Sequence, residues 1–319
     1  MHRHRPTAHR AAVTIAAVAA VAAPAAHGAP VQSDLRVETG GSPLAGGSYL
    51  TDTVRIETDR REACGGTGEV KTVEGPTALG LLSDGARVHR ALRPLGVSDQ
   101  FDFGLFVCGV GSFVGSDSAF WLYKVDHLAP EVGADQLELK GGEEVLWYFS
   151  DTGRNVNTGD ELVLRAPARA RPGRAFEVTV LAYDSKGART PAADAQVTGD
   201  GVVETDSDGK ARVEPDSRGT LRLRAKRGAD IPSATVSVCV ESVPSRCPAR
   251  RGRVIFGTPG GDRIVGTAGA DRVSAFGGAD RIAVRGGGRD RVRCGSGRDR
   301  VRADRSDRMG RDCELVRRR

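Results

Sequence analysis

The sequence predicts a mostly β, multidomain protein: an α+β domain, then a β-sandwich, then a short parallel β-roll. Three observations carry that prediction. Apolar and polar residues alternate over many short runs, as they do in half-buried strands. Helical spacing occurs over one stretch, TALGLLSDGARVHRAL from Thr77. From Gly257 to Asp307, aspartates recur at 262, 271, 280, 290, 299 and 307, each with an apolar residue two positions on. A period that short means stacked turns, none of which buries a core alone.

Residues 1–28 begin with the basic MHRHRPTAHR, pass through the apolar AAVTIAAVAAVAAPAA and end on Ala26-His27-Gly28. That pattern is a secretory signal peptide, and its apolar run is short for a bilayer span. No later stretch reads as a membrane span, so the expected location is secreted, extracellular or at the cell surface. All six cysteines lie beyond this segment, as suits an oxidising compartment. Proximity pairs Cys64 with Cys108, Cys239 with Cys247 and Cys294 with Cys313, one of many arrangements that six cysteines allow. A zinc site is the lesser alternative, because no Cys-x-x-Cys occurs and only His89 and His127 follow the signal region.

Charge is uneven along the chain. Residues 249–319 hold 19 arginines against nine carboxylates, a net +10, whereas residues 31–248 carry 25 basic and 32 acidic residues, a net −7. The sequence pI of about 9.2 therefore belongs to the tail. Such asymmetry points to an anionic surface partner.

The first domain spans residues 34–150. LRVET and TVRIET alternate as strands do, and Leu79, Leu82, Val88 and Leu92 follow Thr77, a residue suited to cap a helix. Three more strand-like runs come next, FGLFVCGVGSFV, AFWLYKVD and LELKGGEEVLWYFS. Strands, one helix, then strands predict a helix laid across a sheet. This order, with Phe120 to Asp126 and Gly142 to Phe149 as its strongest parts, resembles the β-grasp-type C-terminal domain of transcobalamin and intrinsic factor. An Asn-Gly-type turn usually follows the aromatic strand in that family, and Asp126-His127 stands there instead. Cobalamin is not carried over, since a fold is shared more widely than a ligand. Phe120, Trp121, Tyr123 and Trp147 either line a shallow surface for a small molecule or glycan or pack as core and cover. His127 reads as a turn residue.

Residues 151–162 read as a polar linker, 163–240 as the sandwich and 241–253 as a second linker, with the roll over 254–316. Short alternating runs with Gly, Pro and Asp turns give the sandwich, and Thr205-Asp206-Ser207-Asp208-Gly209 supplies a hairpin. The middle unit resembles bacterial immunoglobulin-like modules, which act as spacers. Asp206 and Asp208 lack the further ligands of a calcium loop, so the segment reads as a turn.

The aspartate-bearing tail resembles the RTX, or haemolysin-type, nonapeptide repeat, Gly-Gly-x-Gly-x-Asp-x-U-x with U apolar. In that family the glycine half turns, the last three residues form a strand, and successive turns share Ca²⁺. The resemblance implies Ca²⁺ at Asp262, Asp271, Asp280, Asp290 and Asp299, foremost at the first three, where the glycines survive. Repeats four to six depart from the pattern, and the alternative is a roll held by apolar ladder and disulfide with its metal sites decayed. An arginine follows each aspartate, at 263, 272, 281, 291, 300 and 308. These are expected to face outward and to compete for the aspartates when calcium is absent.

Gly-x-Ser-x-Gly, His-Glu-x-x-His and Gly-x-x-x-x-Gly-Lys are all missing. No enzyme is expected. The sequence supports a secreted binding protein with a ligand domain and a calcium-binding tail. The alternative is an adhesive surface protein whose arginine-rich roll meets anionic envelope polymers. Nucleic acid is not an expected partner.

Overall fold

A computed structural model describes residues 30–243, 246–247 and 252–319. The signal segment 1–28 lies outside the described residues. The first domain contains β1 (Val31–Glu38), β2 (Ala45–Thr51), β3 (Val54–Glu57), β4 (Val70–Val73), α1 (Ala78–Val88), β5 (Leu95–Ser98), β6 (Phe106–Val110), β7 (Phe113–Val114), β8 (Ala119–Val125) and β9 (Glu144–Asp151). Helix α1 starts where the Thr77 hydroxyl accepts the Gly80 N–H at 3.0 Å. Its leucines 79, 81 and 82 are fully buried against the sheet. Gly85 permits that approach, because a Cβ there would stand 2.4 Å from the Leu35 side chain. Strand β9 is central, parallel to β1 and antiparallel to β8, and buried on both faces after its first residue.

The sandwich contains β10 (Glu161–Arg165), β11 (Arg169–Ala170), β12 (Phe176–Tyr183), β13 (Arg189–Pro191), β14 (Gln196–Thr198), β15 (Val202–Glu204), β16 (Lys210–Val213), β17 (Gly219–Lys226) and β18 (Val236–Val240). Two sheets, β10-β12-β13 with β16 on β12 and β11-β18-β17-β14-β15, close over one apolar core. The 205–209 hairpin is a turn. Asp206 Oδ1 accepts the Asp208 and Lys210 N–H groups, and Gly209 (φ +70°) lies so close that a Cβ would stand 2.4 Å from Val180 O.

The segment expected to be a polar linker, 151–162, is anchored at both ends. β9 runs to Asp151, β10 starts at Glu161, and Asn157 is buried with its amide donating to Phe149 O at 2.8 Å. Around Glu161, fully buried, the two domains meet through charge. Arg36 donates to Glu161, to Glu144 Oε1 at 3.0 Å and to Pro232 O at 3.1 Å. Lys124 Nζ donates to Tyr183 O and Asp184 O, and His127 Nδ1 lies 3.1 Å from Glu161 Oε1. Burial pushes the Glu161 carboxyl up, but His127, Arg36 and Lys124 outweigh it and hold the group below its ordinary range. His127 does sit in a turn (φ +74°), and that turn is what aims its ring at Glu161 and Tyr183.

The roll comprises β19 (Val254–Phe256), β20 (Arg263–Val265), β21 (Arg272–Ser274), β22 (Arg281–Ala283), β23 (Arg291–Arg293), β24 (Arg300–Ala303), β25 (Arg308–Met309) and β26 (Leu315–Arg318). Odd and even strands form two parallel ladders around a core of Ile255, Ile264, Val273, Ile282, Val292 and Val301. The odd ladder does not stop at β19. Ile255 pairs with Ser48 and Phe256 with Tyr49, so roll and first domain share one eight-stranded sheet, β25-β23-β21-β19-β2-β1-β9-β8. Leu50 of β2 belongs to the roll core, while on the opposite face Tyr49 stacks on Phe256 at 5.0 Å. The roll is thus an extension of the first domain.

All six cysteines are bridged, 64 to 108, 239 to 247 and 294 to 313, which leaves no thiolate for zinc. Cys294–Cys313 ties the last even strand, β26, to the roll. Replacing both cysteines by alanine is expected to lower stability by about 3 kcal/mol, as for a closed loop of this size. Denaturant unfolding of the double variant measures this, and an unchanged midpoint would show that β26 needs no staple.

Candidate metal centre

Each repeat aspartate sits just before a strand and turns inward, while the arginine after it turns out. All six are buried, between 0 and 4% exposed. Period 2 explains the split, since consecutive strand residues face opposite sides. Accordingly, no ion pair joins a repeat aspartate to a repeat arginine among the described residues. The expected competition between those arginines and calcium is not in the structure, because the intervening sheet separates them.

What the carboxylates hold is each other's backbone. Asp280 Oδ1 accepts the Asp262 N–H at 2.8 Å, Asp299 Oδ1 that of Asp280 at 2.8 Å, and Glu314 Oε2 that of Asp299 at 2.9 Å. On the other edge, Asp271 accepts from Arg253 N, Asp290 from Asp271 N and Asp307 from Asp290 N. Every second turn is therefore clipped to the next through one carboxylate oxygen. Glu314 was not legible as a member, since it follows Asp299 by 15 residues and lacks the glycine half of a repeat.

The second oxygens divide the set. Asp262 is clamped by the Thr258 N–H at 2.6 Å and hydroxyl at 2.8 Å, and Asp271 likewise by Thr267 at 2.5 and 2.7 Å. Asp307 Oδ2 accepts the Asp304 N–H. Asp280, Asp290 and Asp299 each keep a buried Oδ2 with no hydrogen-bond donor. The spare capacity thus falls on repeats three to five, which overlap the favoured first three only at Asp280. Threonine explains the shift: repeats one and two place it four residues before the aspartate, where repeats three to five have Phe276, Gly286 and Gly295.

Three orphaned carboxylate oxygens inside a small roll need a positive partner. Burial and the neighbouring aspartates push the Asp280 and Asp290 carboxyls up to about 6, against the backbone N–H bonds that lower them. Burial also raises Asp262. The turns around them are close-packed backbone. A Cβ on Gly297 (φ +141°) would stand 1.7 Å from Gly278 O, and one on Gly278 (φ +96°) 2.4 Å from Gly260 O, so only glycine lets these carbonyls stack. Hard oxygen donors, carboxylate and carbonyl in stacked turns, fit Ca²⁺.

The sign of the pH dependence follows. A carboxyl that is raised on folding stabilises the fold by binding a proton there. In calcium-free protein, stability should fall as pH rises from about 4, the unfolded value, to about 6, the folded value of Asp280 and Asp290. Thermal melts of chelator-stripped protein at pH 5 and pH 7.5 test this. A higher midpoint at pH 7.5 would contradict it.

The four aromatics, read either as a ligand surface or as core and cover, do not converge on one surface. Trp121 and Trp147 are each 2% exposed, filling the first-domain core beside Phe149, and Tyr123 stacks on Trp147 at 5.2 Å. Phe120 points to the opposite face of β8 and is 40% exposed. A sheet of two faces sends alternate residues apart, so AFWLYKV cannot present all its rings together. The exposed ring pair of this domain is Phe101 and Phe103, stacked at 5.0 Å near Asp99, Asp102 and Asp135.

Comparison with known families finds two matches. Residues 97–151 match a family described as a domain of unknown function, DUF4430, which is transcobalamin-like. Residues 256–288 match the RTX calcium-binding nonapeptide repeat, in four copies. No curated protein and no solved structure matches the chain.

Proposed function

We propose that the chain is a secreted, non-enzymatic modular binding protein whose C-terminal roll loads Ca²⁺ and braces a ligand-binding first domain. The observation that carries this is the set of buried, donorless oxygens on Asp280, Asp290 and Asp299. Asp280 and Asp299 on one edge and Asp290 on the other, each with carbonyls of its adjoining turns, would hold metal, and its charge would relieve their burial. Asp262 and Asp271 serve the first turns chiefly through their threonine clamps. Support for export comes from the signal-like residues 1–28, the three disulfides and the extracellular occurrence of RTX repeats. No described helix is long and apolar enough to cross a membrane. The sandwich acts as an immunoglobulin-like spacer, and Phe101 with Phe103, rather than the buried tryptophans, offers the first domain's contact for a small molecule or glycan.

Calorimetric titration of the chelator-stripped full chain tests the calcium reading. Saturable heat is expected, and Asp280→Asn with Asp299→Asn should remove most of it. No uptake at millimolar calcium would overturn the proposal.

A further inference from the structure

The even ladder turns a second, chemically separate surface to solvent. In β20, β22 and β24 the parallel register sets Arg263 beside Arg281 and Arg281 beside Arg300. Two residues along, Arg302 pairs with Arg317. All five are exposed, and none has a carboxylate partner among the described residues. All five line a groove of about 500 Å³, whose lining includes one carboxylate, Glu314.

Like charges set side by side at the strand spacing of about 4.8 Å repel one another. The inward aspartates do not pair with these arginines, since their oxygens accept backbone N–H groups or lie within the roll. An anion lying along the groove and crossing the strands would relieve the repulsion. We infer that this groove binds a linear acidic glycan bearing carboxylate or sulfate groups along its length.

Guanidinium forks take carboxylate and sulfate oxygens two at a time, which lysine does not. Repetition at one-strand intervals suits a polymer with repeated charge. The groove lining contains no aromatic ring, whereas single-stranded nucleic acid is held by bases stacked on aromatics. Four strands also span only about 15 Å, which suits a thin extended chain. The inference stands apart from the first domain's ligand and leaves every aspartate untouched.

Retention of the full-length protein on immobilised polygalacturonate and dextran sulfate, with calcium saturating, is the test. Arg281→Glu with Arg300→Glu should weaken binding at least about tenfold. Arg272→Glu with Arg291→Glu makes the same charge change on the odd ladder, where those side chains form the other exposed arginine column. That variant should bind nearly as well as the parent. Retention should decline with salt. If the acidic substitutions disturb folding, as thermal melts would reveal, Arg281→Gln with Arg300→Gln takes their place with the same expectation. Equal losses from both faces would reduce the effect to bulk charge and overturn the inference. So would tighter binding to an oligothymidylate than to either glycan, or no binding by the parent.

Discussion

Saturating calcium is expected to raise the unfolding temperature of chelator-stripped protein by roughly 5–10 °C. A ligand at a hundred times its dissociation constant stabilises by about 2.7 kcal/mol, and each kcal/mol moves the midpoint of a large domain by about 2–4 °C. The sharper expectation concerns where the shift is seen. Both tryptophans are buried in the first domain, far along the sequence from the aspartates. The β2–β19 pairing and the seating of Leu50 in the roll core make roll and first domain one body. Tryptophan fluorescence should therefore report the same calcium-dependent midpoint as circular dichroism. Leu50→Ala, a truncation at a fully buried site, should cost about 2–5 kcal/mol and separate the two transitions. A tryptophan transition that ignores calcium in the parent protein would mean that the shared sheet does not couple them.

Glu161→Ala should be the most damaging single carboxylate substitution, at about 3–5 kcal/mol. The residue is fully buried, and its removal strands Arg36 and Lys124, both also buried, without their shared counter-charge. Arg36 would retain Glu144, Glu38 at 3.9 Å and a carbonyl, whereas Lys124 would keep only the Tyr183 and Asp184 carbonyls. Truncation of the exposed Glu131 should change stability by no more than about 0.5 kcal/mol. Denaturant midpoints at constant slope measure both. A loss under about 1 kcal/mol for Glu161→Ala would show that solvent reaches the cluster and that the domains are held by apolar contact alone.

Much of the architecture was legible because it is written in short windows. Thr77 caps the helix three residues from its hydrogen-bond donor, and the 206–210 turn closes on itself. A nine-residue period specifies a roll wherever it occurs. Cysteines close in sequence found each other, and the longer Cys64–Cys108 bridge followed the first domain's own fold. All but that last bridge are local, so no knowledge of distant chain was needed for them.

What sequence alone determined, then, is the kind of each unit: a helix on a sheet, a two-sheet sandwich and a calcium-type roll with outward arginines. Tertiary structure decided how the units share surfaces. The open edge of β2 accepted β19 across about 200 residues of chain, and a turn histidine became a partner of Glu161. It also decided which aspartates stay hungry for a cation. Repeat matching ranks Asp262 and Asp271 first, yet their threonines satisfy them and leave Asp280, Asp290 and Asp299 short. Periodicity specifies which way a side chain points. Only the assembled neighbours fix how many of its hydrogen bonds are already made.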